Sequence, residues 1–89
     1  MYEWDEAKRL VNLRKHGVDF EMVEGFEWQR SITYEDTLKG YGEQRQISIG
    51  PVGLTLYVLI WTEHGTDRIR VISFRLANRR EKKKHEEEF

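Results

Sequence analysis

Leu54-Thr55-Leu56-Tyr57-Val58-Leu59-Ile60-Trp61 is almost wholly apolar, and it is rich in β-branched and aromatic residues. A run of this kind reads as a central strand that must be covered on both faces. In a chain of 89 residues that demand dominates the fold. A domain this small buries roughly 60–65% of the surface that its unfolded chain exposes, which supports one core and no second domain. We therefore read residues 1–89 as a single unit. Hydrophobic residues are 38% and charged residues 35%. That balance is polar for a folded chain, but the eleven aromatics argue against disorder.

The segments flanking the run define its partners. Asp5 reads as an N-cap and Gly17 as a left-handed C-terminal cap, so a helix is predicted over about 6–16. Its Ala7, Leu10, Val11 and Leu13 fall in one arc, expected to face the core, although Arg14 falls in the same arc. Lys8, Asn12 and Lys15 form a polar stripe beside it. Asp19 reads as a second N-cap, opening a short helix over about 20–27 with Phe20, Val23 and Phe26 inward. From Arg30 the period becomes strand-like, with strands predicted over about 31–36, 44–49, 54–62 and 67–75. Gly50-Pro51-Val52-Gly53 reads as the hairpin turn before the central strand. Tyr2–Trp4 reads as a short edge strand, and a charged helix is predicted over about 77–87. The fold class is α+β: two N-terminal helices, a four-stranded antiparallel sheet and a C-terminal helix.

Charge is segregated. Residues 1–44 carry six basic and ten acidic side chains, whereas residues 68–84 carry eight basic residues against the single acid Glu81. A basic end of this kind suits a polyanion or an acidic partner, or else forms a solvated helix face. With no cysteine, thiolate zinc sites and thiol nucleophiles are excluded. No H-E-x-x-H, paired-Asp or P-loop pattern occurs, so neither metal nor cofactor is expected. Without a signal peptide or an apolar run near the roughly 18 residues of a membrane span, a soluble, cytoplasmic protein with no membrane role is expected.

Glu3-Trp4-Asp5-x-x-Lys8-x-x-x-Asn12-x-x-Lys15-His16-Gly17-Val18-x-Phe20 resembles the opening of the BrnT family, the toxins of type II toxin–antitoxin pairs. The likeness continues through Glu43-x-Arg45, Ile49-Gly50, Arg70-Val71-Ile72-Ser73-x-Arg75-x-Ala77 and Arg80-Glu81, and departs from it at His64 and His85. The resemblance implies a RelE-like fold and a metal-independent endoribonuclease that arrests growth. It also implies a BrnA-like antitoxin, which neutralises the toxin and alone carries it to operator DNA, and it suggests a two-to-two complex.

RNA can be cut without metal when its 2′-hydroxyl attacks the neighbouring phosphorus. The protein then supplies position, proton transfer and cations. His16 is the natural acid or base, or else it only tempers a helix dipole. Lys15 beside it can bind phosphate. Arg45, Arg70 and Arg75 stand on predicted strands, where a guanidinium must meet solvent, a ligand or a carboxylate such as Glu43, Glu63 or Asp67. Strict alternation places Arg70 and Arg75 on opposite faces unless a bulge intervenes. Lys8, Asn12, Arg79 and Arg80 are candidates to hold RNA, although Arg79 and Arg80 with Lys82, Lys83 and Lys84 are equally a candidate docking ground for the antitoxin. Trp28 and Tyr41 are candidates to stack on bases, with Trp4 and Trp61 assigned to the core. The competing reading is a non-catalytic module that binds nucleic acid or a protein through the basic 68–84 face.

Overall fold

The computed structural model describes residues 1–37 and 42–89. The chain runs through β1 (Tyr2–Glu3), α1 (Glu6–His16), 3₁₀ turns at Phe20–Gly25 and Trp28–Arg30, β2 (Ile32–Asp36), β3 (Arg45–Val52), β4 (Thr55–His64), β5 (Arg68–Leu76) and α2 (Arg79–Glu88). The five strands form one sheet in the order β1-β5-β4-β3-β2. The α+β class holds, but the predicted four-stranded antiparallel sheet does not. β1 adds a fifth strand, pairing parallel to β5 through Tyr2–Ile69 and Glu3–Arg70. The other pairs are antiparallel.

β4 lies at the centre and is covered on both faces. Leu59 joins Val18, Phe20, Val23, Phe26, Val71 and Phe74 in the larger core cluster. Its neighbour Val58 joins Ile49 and Ala77 in the smaller one, on the α2 side. The second predicted helix is instead a pair of 3₁₀ turns. In a 3₁₀ turn residues i and i+3 eclipse, and here this stacks Phe20 and Val23 toward the sheet, while the extended Phe26 after it is buried through its bridge to Val52. Asp19 caps the first turn through the Glu21 amide at 3.0 Å.

The predicted Gly50–Gly53 turn is also displaced. Gly50 and Pro51 lie inside β3 and are buried. A Cβ on Gly50 would stand 2.7 Å from Ser31 Cβ and 2.8 Å from Phe26 Cζ, so only glycine fits. β2 pairs no further than Ile49, so Pro51, which has no amide proton, sits beyond its reach. The reversal is the two-residue Gly53-Leu54, with Gly53 at φ 63°.

α1 is capped as expected. Asp5 accepts from the Ala7 amide at 2.8 Å, and the left-handed Gly17 donates to Leu13 at 2.8 Å. Its orientation, however, reverses the expected one. Leu10, Val11 and Leu13 are exposed, and the buried residue is Asn12, at 6%. The cause is the outer edge of β5, which β1 covers only at Ile69 and Arg70. Farther along this edge, Asn12 Nδ2 donates to the Phe74 carbonyl at 2.7 Å, and Asn12 Oδ1 accepts from the Phe74 amide at 3.3 Å. The side-chain amide thus stands in for a missing strand. Arg9, on the same inward side, bonds Glu6 and Asp19. Arg14 then falls on the solvent side, which accounts for its place in the apolar arc.

Candidate functional site

The register between β4 and β5 decides where the arginines go. Pairing runs from Tyr57–Leu76 through Ile60–Ser73, then shifts by one residue, so that Trp61 faces Val71 and Ile72 is the extra residue of a β-bulge. Without the shift, Arg70 and Arg75 would point to opposite faces. With it, Arg75, Ser73, Arg70 and Arg68 stand beside Val58, Ile60, Thr62 and His64, all on the α2 face. The strict alternation that would set Arg70 on the side of Ile72 and Phe74 is therefore broken at Ile72.

The bulge also forms the floor of a groove. Ala7, Lys8, Val11, Asn12, Lys15 and His16 of α1 face Ile72 and Ser73 of β5 across a space of about 310 Å³. The helix places Lys8, Asn12, Lys15 and His16 on one side by its i, i+4, i+7 and i+8 spacing, and Asn12 holds that side against the strand. His16 is half-buried at the helix end. Burial, then the charges of Lys15 and Arg75, lower its pKa below the ordinary 6.5. The imidazole is consequently neutral at pH 7 and able to take a proton. Asn12 lines the groove but has its amide committed to Phe74 and to the Val18 carbonyl, at 3.0 Å. Its place is to fix α1 rather than to present a donor.

Arg75 is held by Glu81 of α2. Glu81 simultaneously completes a capping box: its carboxylate accepts from the Asn78 amide at 2.8 Å, while Asn78 Oδ1 accepts from the Glu81 amide at 2.9 Å. The paired Arg75 guanidinium is the leading cause that holds the Glu81 carboxyl below its usual range. Tyr34 lies nearby, with Lys84 Nζ 3.6 Å from its ring centroid.

Arg70 sits farther along the same face. Its Nη1 donates to Glu3 at 3.1 Å, and the same carboxylate takes Arg68 at 3.4 Å and His64 Nδ1. Burial would raise the Glu3 pKa, but the hydrogen bonds from His64, Arg70 and Arg68 together lower it. Arg45, on β3 opposite Asp36, faces Glu43 at 3.6 Å. Arg79 and Arg80 are exposed in the first turn of α2, where the helix dipole opposes cations and favours an anion. Lys8, Lys15 and His16 are thus brought together beside Ser73, the charge of Arg75 reaches the imidazole, Arg70 shares the sheet face of Arg75, and Arg45 is two strands away.

Trp28 is not a free stacking platform. It packs edge-on against Phe26 and Trp61 and donates to the Tyr2 hydroxyl at 2.6 Å. Trp4 and Trp61 are packed against the core as expected. Tyr41 lies outside the described residues. Sequence reasoning missed Glu3 and Glu81, the two carboxylates that orient arginines. The Asn78-x-x-Glu81 spacing carried a capping signal, whereas no local signal marks Glu3.

A family model described as "Ribonuclease toxin, BrnT, of type II toxin-antitoxin system" matches residues 4–81. The chain belongs to the BrnT family. The crystal structure of the Brucella abortus ribonuclease toxin BrnT is similar, at 30% identity over 89% of this chain and 99% of that one, with a TM-score of 0.60. No curated protein sequence matches. The family is one of ribonuclease toxins, and a toxin of a type II system implies an antitoxin partner. Among the described residues, no helix is long and apolar enough to cross a membrane, and no three His, Cys, Asp or Glu side chains are grouped to hold a metal.

Proposed function

We propose that this BrnT-family chain is a metal-independent endoribonuclease whose reacting centre is the groove between α1 and the β5 bulge. The observation that carries the reading is the meeting of a neutral, half-buried His16 with Lys15 and Lys8 around Ser73, where the imidazole also feels the charge of Arg75. In this reading His16 accepts the proton of the attacking 2′-hydroxyl or returns one to the leaving 5′-oxygen. Lys15 and Arg75 neutralise the charge that grows on the phosphoryl oxygens. Arg70, Arg45, Arg79 and Arg80 hold the flanking RNA backbone, and Asn12, Glu3 and Glu81 orient the groups that act.

Growth arrest follows from RNA cleavage, and a BrnA-like antitoxin neutralises the toxin. Operator DNA is reached only through that antitoxin, in a complex of two toxins with two antitoxins, and the pair works in the cytoplasm. One observation favours the competing reading of a non-catalytic binder: Arg45, Arg70 and Arg75 all face carboxylates of their own chain.

End-group analysis of RNA treated with the purified protein in excess EDTA tests the choice. Attack by the 2′-hydroxyl leaves a 2′,3′-cyclic phosphate and a free 5′-hydroxyl. Salt-dependent binding without cleavage would favour the binder.

A further inference from the structure

We infer that the outward face of α1 is the surface on which the antitoxin docks, through an acidic, amphipathic helical segment. The inference rests on the toxin–antitoxin reading and names the surface it uses. Leu10, Val11 and Leu13 are exposed by 45%, 58% and 36% on the solvent side of a helix that turns Arg9, Asn12 and His16 inward. Single exposed apolar residues are ordinary, but several on one helix face mark an interaction surface.

The charges around this strip point to the chemistry of its occupant. Of the cations on α1, Lys8, Arg14 and Lys15 make no ion pair among the described residues, whereas Arg9 is held by Glu6 and Asp19. Unpaired cations beside aliphatic side chains fit a helix with apolar residues at i and i+3 or i+4 and carboxylates on its flanks. RNA would use the cations but gains nothing from Leu10 and Leu13, which offer no stacking face. A second copy would bring like charges together. Val11, Lys8 and Lys15 also line the groove that holds His16, so a partner seated on this face covers the reacting centre.

The test uses the full chain and, as probe, the polypeptide encoded by the reading frame that adjoins its gene. Binding is followed by calorimetry, RNA cleavage is measured on the same samples, and folding is checked by circular dichroism. The Leu10→Glu/Leu13→Glu variant is expected to weaken binding about tenfold or more while the free protein cleaves RNA within about twofold of wild type. Arg14→Glu alone, which spares the apolar strip, is expected to weaken binding about threefold and serves if the double variant does not fold. Leu54→Glu, at the exposed tip of the β3–β4 turn, is the control and should bind as wild type does. Wild-type affinity in the folded α1 variants would overturn the inference. So would a loss of RNA cleavage with antitoxin binding intact, or a wild-type dimer that the double variant dissolves. A wild type that binds in the predicted pattern but cleaves no RNA would overturn the ribonuclease reading and leave the docking surface in place.

Discussion

Arg75 and Glu81 are joined by two parallel hydrogen bonds, Nη1 to Oε1 and Nη2 to Oε2, each of 2.8 Å. The pair ties the end of β5 to the first turn of α2, because Glu81 is also the N3 residue of that helix's capping box. One carboxylate therefore sets both the direction of a guanidinium in the proposed site and the start of a helix.

Glutamine can replace glutamate in a capping box but cannot form the ion pair. Glu81→Gln is therefore expected to cost under about 1 kcal/mol of stability, and Glu81→Ala about 1–2 kcal/mol. Both should lower RNA cleavage by releasing Arg75. Denaturant unfolding beside cleavage rates separates the two effects; equal stability of the two variants would show that the cap contributes nothing.

The same pair makes a pH prediction. The folded-state pKa of Glu81 lies below the unfolded 4.5, so its contribution is complete above 4.5 and is lost as pH falls through the lower folded value. Wild type should therefore lose more stability than Glu81→Gln on acidification below 4.5, in urea midpoints measured across that range. Parallel curves would contradict it.

His16 makes a prediction of the opposite kind. Its folded pKa is lowered from 6.5, so the imidazole stays neutral to a lower pH than a free histidine. If it acts as the base, the acidic limb of kcat/KM for RNA cleavage should lie below pH 6.5. Lys15→Gln, which removes one of the charges that depress it, should move that limb upward. A limb above 6.5 would mean that another group is titrating.

Asn12→Ala would leave the Phe74 amide, the Phe74 carbonyl and the Val18 carbonyl without their buried partner. An unsatisfied buried group costs about 1–3 kcal/mol, so a loss of about 3 kcal/mol in chemical unfolding is expected. A variant of unchanged stability with weakened RNA binding would instead make Asn12 a ligand-binding residue.

Residue by residue, what could be read from the sequence was what local rules govern. The Leu54–Trp61 run located the central strand to within a few residues. Asp5 and Gly17 bracketed α1, because caps are local chemistry. The inversion of α1 was not legible: the amphipathic rule sends Leu10 and Leu13 inward, and only the bare edge of β5 explains why Asn12 goes there instead. The bulge at Ile72 was equally silent, because a one-residue shift leaves no mark in composition, yet it turns Arg70 onto the face of Arg75. Glu3 meets Arg70 through a parallel pairing across 67 positions, beyond any spacing rule. His16, Lys15 and Lys8 were accessible because one helix carries them all.

The most direct test of the account is the single-turnover rate of RNA cleavage in excess EDTA by wild type, His16→Ala and Arg75→Ala, each shown to be folded by circular dichroism. The account predicts cleavage by wild type and a fall of about a hundredfold or more in each variant. Wild-type rates in both folded variants would contradict it and move the reacting centre away from the groove between α1 and β5.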